Sequence, residues 1–290
     1  MRSPNFWGMA VRAPSGDVEL RAEPFRSVTR KSKLFRLPII RGALSLGETL
    51  WLGMKALTLS TNIALGEEEE LSTKEIAGTM LFALVLGFGL FLVAPVFATK
   101  GLGALAGTGI ENPVLFNLIE GAIRIGIFIL YIVGITWISK DIKRFFAYHG
   151  AEHKAIKVFE RGEELVPENS HKLDTSHVRC GTSFVLYVLV LSILVFSVLP
   201  IDWWVEAVFS RVLVIPLVAG IAFEFIMWSA KNQNNPIVKA LIWPGLQLQK
   251  LTTREPTDEM VEVAMVSLKK VLDKEDEARI KPDATGQLVI

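Results

Sequence analysis

All four histidines of the chain lie between His149 and His177, and its only cysteine, Cys180, follows three residues later. Neutral imidazole and thiolate are the side chains that hold borderline divalent metals such as zinc. Residues 148–156 read YHGAEHKAI. On a helix, His149 and His153 stand one turn apart on one face, roughly 6 Å along the axis, where two imidazoles can share an ion. The string His149-Gly-Ala-Glu-His153 fits the inverted zincin pattern H-x-x-E-H, in which the carboxylate, here Glu152, activates water at the metal. Alone, a five-residue pattern is weak, because His pairs at this spacing arise by chance.

A second cluster strengthens it. In His177-Val-Arg-Cys180-Gly-Thr-Ser-Phe184, His177 and Cys180 have the short spacing of metal ligands on a turn. Together the clusters offer His149, His153, His177 and Cys180. Four bound ligands would make a closed, structural site, whereas three plus water would make a catalytic one. Two plainer readings stand beside these. Interfacial histidines can snorkel or bind phosphate headgroups, and Cys180 can be a small buried hydrophobe. His171, among Ser170, Lys172 and Asp174, reads as a loop residue.

What must position these groups is a membrane fold. Just over half of the 290 residues are hydrophobic, and mean hydropathy is +0.40. Four stretches are long and apolar enough to cross a bilayer, which takes roughly 20 helical residues: Ile76–Ala98, Leu115–Ile138, Ser183–Leu199 and Val208–Trp228. The capping-box pattern Ser72-Thr-Lys-Glu75 starts the first. Short turns are expected at Gly101–Gly109 and around Pro200–Asp202. The His149 segment continues the second span, and Cys180 directly precedes the third. Both clusters therefore meet at one membrane surface, joined by a polar connection containing Gly162 and Pro167.

Leu37–Leu65 is apolar but carries Arg41, Glu48 and Lys55 seven residues apart, a charged stripe on a helix. The stripe suits an amphipathic helix lying in the interface better than one crossing hydrocarbon. With four spans, the N-terminal segment, the 139–182 connection and the C-terminal tail share a side. These hold nearly all the lysines and arginines, so both termini are expected in the cytoplasm. Residues 1–36 are polar and basic, without the apolar core of a signal peptide. Residues 11–26 alternate around a Ser-Gly-Asp turn, which predicts a small β-hairpin. Pro236–Leu251 reads as a surface-lying helix, Asp258–Lys274 as an amphipathic one, and the last ten or so residues as disordered.

The expected fold class is thus an all-α polytopic membrane protein with about four spans, interfacial helices and an N-terminal hairpin. Its expected divisions are 1–36, an interfacial helix and acidic linker at 37–71, a helix pair at 72–138, the His/Cys loop at 139–182, a second pair at 183–229 and a tail at 230–290. Net charge of +1 gives no reason to expect nucleic acid, and one cysteine excludes an intrachain disulfide. Within the spans, Glu120 and Arg124 are four apart and can neutralise each other or line a polar pocket. Glu224 stands in the fourth span without an evident sequence neighbour. It is a functional candidate as a third ligand, or a packing residue using Arg124 or another donor.

In combination, Tyr148-His-Gly-Ala-Glu-His-Lys154, His177-Val-Arg-Cys-Gly-Thr-Ser-Phe184 and Leu251-Thr-Thr-Arg-Glu-Pro256 resemble the YqhQ-type bacterial membrane proteins. These carry domain of unknown function thirteen eighty-five and are described as predicted metal-dependent enzymes. Arg2-Ser-Pro4, Ala10-Val-Arg12 and Arg41-Gly42 are similar as well. Members of that family commonly begin with a further strand ahead of the position of Met1, so an upstream natural start is an expectation.

Three function classes follow. One is a metal-dependent hydrolase, with Glu152 as general base and zinc as the metal expected from the ligand types, acting on a membrane-embedded peptide or lipid-linked substrate. Another is a non-catalytic assembly or scaffold factor in which the metal staples the 139–182 loop. A transporter is the weakest, because four spans make a thin path unless the chain forms a homo-oligomer.

Overall fold

The structure, a computed structural model, describes residues 1–65, 73–107, 109–198 and 204–277. The chain opens with the expected hairpin, β1 (Phe6–Arg12) antiparallel to β2 (Val18–Pro24). Its turn closes where the Ala13 N–H donates to the Asp17 carbonyl at 2.8 Å. It begins earlier than the alternation predicted, because FWGMAV is an apolar run that masks the two-residue period. Trp7 and Met9 from that run are buried with Phe25 and Leu52.

Helix α1 (Ile40–Leu65) shows where its charged stripe goes. Arg41 forms a two-pronged pair with Glu224 at 2.6 Å, Glu48 accepts from Arg2 at 2.8 Å and Ser27 at 2.9 Å, and Lys55 meets Glu23 at 2.5 Å. The stripe faces protein. The opposite face leaves Leu50, Met54 and Leu57 exposed, as a helix resting on a bilayer requires.

Four helices among the described residues are long and apolar enough to cross a membrane: Ala77–Leu105, Pro113–Ile138, Gly181–Val198 and Val214–Lys231. The chain is a multi-pass membrane protein. The first of these runs through α2 (Thr73–Phe88), a π turn at Gly89–Val93 and α3 (Ala94–Leu105). Pro95 has no N–H to donate, and the Ala94 N–H reaches five residues back to the Gly89 carbonyl. The helix extends to Leu105, so the expected turn at 101–109 is shorter than its glycines suggested. Helix α4 (Pro113–Ile138) starts on Asn112, whose side chain accepts from the Leu115 N–H.

One expectation is corrected at the end of α4. The second span does not run unbroken into the histidines. Ser139 turns extended (φ −105°, ψ 126°), ends α4 and caps a new helix, α5 (Lys140–Glu160), by accepting from the Ile142 N–H. Serine at this position offers the chain a capping hydroxyl where the apolar run stops. Helices α6 (Gly181–Val198), α7 (Trp204–Lys231), α8 (Pro236–Thr252) and α9 (Asp258–Glu277) follow. The acidic linker, the Pro200–Asp202 turn and the chain end expected to be disordered lie outside the described residues.

Helix α9 is more than amphipathic. It packs on α5 through Ala151, Ala155 and Val158 against Val261, Ala264 and Met265, and on β1, where Val271 faces Gly8. Its fully buried Glu275 accepts from the Ser3 hydroxyl at 2.5 Å and the Asn5 N–H at 2.7 Å. Hairpin, α5 and α9 thus form one extramembrane body. Helix α1 seats on α7, where a Cβ on Gly220 would lie 2.4 Å from the Ile39 carbonyl oxygen. Ile39 itself takes φ 70°, which a β-branched residue rarely adopts. This backbone lets its N–H join Arg41 at the Glu224 carboxylate.

Candidate metal centre

Helix α5 puts His149 and His153 on one face with ring centroids 4.4 Å apart. Cys180 sits at the start of α6, its Sγ 3.4 Å from His149 Nε2. One ligand atom from each of His149, His153 and Cys180 lies within 4.8 Å of the others. Tetrahedral zinc, with bonds of about 2.0–2.3 Å, places its ligand atoms about 3.3–3.6 Å apart.

The hydrogen bonds fix which nitrogens face this point. His149 Nδ1 lies 2.8 Å from the Thr252 carbonyl, and His153 Nδ1 lies 2.6 Å from the Thr175 carbonyl. A carbonyl only accepts, so both Nδ1 atoms carry hydrogen and donate. That leaves each Nε2 aimed at the cluster, in the arrangement that outer-shell carbonyls impose on metal-binding imidazoles. His153 is wholly buried, yet its Nε2 has no hydrogen-bond partner among the described residues. A buried nitrogen without a partner costs free energy unless something binds it. The donor set fits a divalent metal.

Cys180 is buried. Burial alone would raise its thiol, but His149 and then His153 pull it down to about 5. The Thr182 N–H adds a 3.4 Å contact to the sulfur at the first turn of α6. Burial opposes charge on His149 too, and the adjoining sulfur, the Thr252 carbonyl and Glu152 together raise it to about 9. The sulfur is therefore held as thiolate, the form that binds metal.

The relatives bear on what this arrangement belongs to. Residues 37–274 match a family described as "Protein of unknown function (DUF1385)". The chain belongs to the DUF1385 family. It is 32% identical over 280 residues to "Uncharacterized protein YqhQ" of Bacillus subtilis (strain 168), covering 91% of this chain and 86% of that protein. No solved structure matches. The DUF1385 match takes in all three clustered side chains and both carbonyls behind the imidazoles, and leaves the N-terminal hairpin outside.

His177 stands apart from the three in this DUF1385 chain. Its ring is 5.8 Å from that of His153, but its Nδ1 accepts from the Arg179 N–H at 3.3 Å and its Nε2 faces Glu160 at 3.2 Å. Both nitrogens are engaged elsewhere. Burial, then the neighbouring His153 and Lys157, lower it to about 4. Glu152 is half-buried on α5, one residue before His153. It acts on His149 and His177 through its charge.

The candidates within the spans lie elsewhere. Glu120 and Arg124 are buried and paired with each other along α4. Glu224 is bound by Arg41 of α1, so the expected packing role is filled by a donor other than Arg124, one that lies 183 residues away in sequence.

Several supporting residues escaped sequence reasoning. Fully buried Gln249 accepts from the His177 N–H at 2.7 Å and donates to the His177 carbonyl at 2.8 Å and the Ser183 hydroxyl at 2.7 Å. It pins the Cys180 turn to α8. Thr252 ends α8, where helix carbonyls have no partner of their own, and so its oxygen is free for His149. The following Arg254 N–H donates to the Phe146 carbonyl at 2.9 Å. A Cβ on Gly150 would stand 2.2 Å from the Arg254 oxygen. The sequence signal at this place is the Leu251–Pro256 motif itself, one of the three that carry the family resemblance.

Proposed function

We propose that this protein is a metal-dependent hydrolase working at the cytoplasmic face of the membrane, with His149, His153 and Cys180 as ligands. The observation that carries the reading is the wholly buried His153 Nε2, which has no hydrogen-bond partner by geometry among the described residues and shares its small space with the His149 nitrogen and the Cys180 sulfur. Three protein ligands leave a position for water or substrate. A zinc ion held there supplies Lewis acidity and acidifies water, which is what hydrolysis of an ester, amide or phosphate ester needs.

The chain's own residues divide the remaining work. The Thr252 and Thr175 carbonyls orient the two imidazoles. Glu152, beside His153 and without a hydrogen-bond partner among the described residues, takes the proton from the attacking water. The surplus of lysine and arginine on the side that holds the hairpin, α5 and α9 supports a cytoplasmic location. Alkaline phosphatase fusions after Ile290 check it, with an inactive reporter expected.

Elemental analysis of detergent-purified protein should find about one zinc per chain. Glu152→Gln should keep the metal and lose hydrolysis by about 100-fold or more. Absence of stoichiometric metal, or full activity in that variant, would refute the reading.

The depth of the cluster favours a second reading, in which the metal is a staple for a non-catalytic membrane assembly factor. His153 and Cys180 have no exposed surface. In that case Glu152→Gln changes nothing, whereas removal of metal unfolds the 139–182 connection.

A further inference from the structure

Beside the metal centre lies a cavity of about 420 Å³. His177 forms part of its wall, and its ring lies 5.8 Å from that of His153. Four cations line it: Lys157, Arg161, Lys172 and Lys239. The two carboxylates in its lining are already committed. Asp174 is held by Lys157 at 2.9 Å and by the Ser176 N–H at 2.8 Å. Glu160 is held by Arg179 and His177. Among the described residues, neither Lys172 nor Lys239 has a carboxylate partner, and Arg161 has only a 3.9 Å contact with Glu163. The cavity is therefore supplied with cations that its own acids do not neutralise.

The other wall is apolar and belongs to a helix at the bilayer boundary. Lys239, Ile242 and Leu246 recur at helical spacing along α8 and all line the cavity. Gln233, also in the lining, follows directly on the last span, Val214–Lys231, so the cavity opens where that helix leaves the membrane. Trp243, one turn beyond Lys239, is exposed. An exposed tryptophan beside a lysine is the side-chain pairing found at the level of lipid headgroups. A basic recess with Ile242 and Leu246 of α8 in its wall fits a molecule with an anionic head and an apolar tail.

We propose that this cavity binds the phosphate ester headgroup of an amphiphilic substrate, with Lys172 and Lys239 gripping the phosphate and α8 carrying the tail. The assignment rests on the hydrolase reading, for it names that site's substrate class as a phosphate-bearing lipid rather than a peptide. Charge-assisted bonds from lysine to phosphate supply the recognition, and the apolar contact separates the lipid from a soluble phosphate ester.

Calorimetric titration of the full chain in nonionic detergent tests it, using dihexanoyl phosphatidic acid, dihexanoylglycerol, glycerol 3-phosphate and inorganic phosphate. Phosphatidic acid should bind best, and Lys172→Gln combined with Lys239→Gln should weaken it by about tenfold. Unchanged binding to that double variant overturns the proposal, as does equal binding of dihexanoylglycerol, which has the tails without the phosphate. Glycerol 3-phosphate or inorganic phosphate binding as tightly as the lipid overturns the amphiphile in favour of a soluble phosphate ester. Repeating the titration after chelation separates the two ideas: headgroup binding needs the lysines and not the metal, whereas hydrolysis needs both.

Discussion

The first and fourth apolar helices have similar claims to cross a bilayer, but they are packed to different degrees. In the most apolar stretch of Ala77–Leu105 only 6% of residues are buried inside the protein, against 33% in Val214–Lys231. The fourth is clasped by α1 through Gly42 and Gly220 and through the Arg41–Glu224 pair. The first touches α4 through aromatic edges, such as Phe91 on Tyr131 at 5.6 Å, and leaves Leu84, Phe82 and Phe97 exposed. Membrane residence needs only apolar length, whereas the fourth helix also holds α1 through a close glycine contact and an ion pair. Fixed packing is concentrated where a span has another element to carry.

The sharpest attempt to break this contrast is His153→Ala. Loss of an outer-shell partner costs metal about 10–100-fold in affinity, so loss of a ligand should exceed about 100-fold, read by competition with a chromogenic chelator. Next is Gly150→Ala, which drives a methyl into the Arg254 carbonyl. A destabilisation of about 3 kcal/mol is expected, at the upper end for overpacking, measured by thermal unfolding in detergent. Glu224→Gln should cost about 1–2 kcal/mol, discounted because Arg41 is 41% exposed. Replacing both partners with methionine should recover part of that loss. Leu84→Ala, on the loosely held first span, should stay within about 0.5 kcal/mol. If Leu84→Ala proved as damaging as Gly150→Ala, the contrast between the two regions would be lost.

Local pattern made much of this molecule readable. The four apolar blocks, the hairpin turn and the His149, His153, Cys180 group each announce themselves through period, length or residue type. What stayed hidden depends on distant partners. Nothing near Glu224 in sequence points to Arg41. The break at Ser139 reads, from sequence, like any serine at the end of a span. His177 has ligand spacing from Cys180, but the Arg179 N–H and Glu160 settle its orientation, and neither is a feature of spacing. The carbonyls of Thr175 and Thr252 are invisible because every residue has one.

The bond from His149 to Thr252 spans 103 residues, and this separation has a consequence in time. Chains grow at about 5–20 residues per second, so His149 emerges from the ribosome roughly 5–20 s before the carbonyl that will fix its ring. Cys180 and the last span are made within that interval. A properly aimed imidazole pair therefore exists only once the final span and α8 have been synthesised. An ion could enter the finished cluster only after that point, and an interrupted chain has no such cluster to offer.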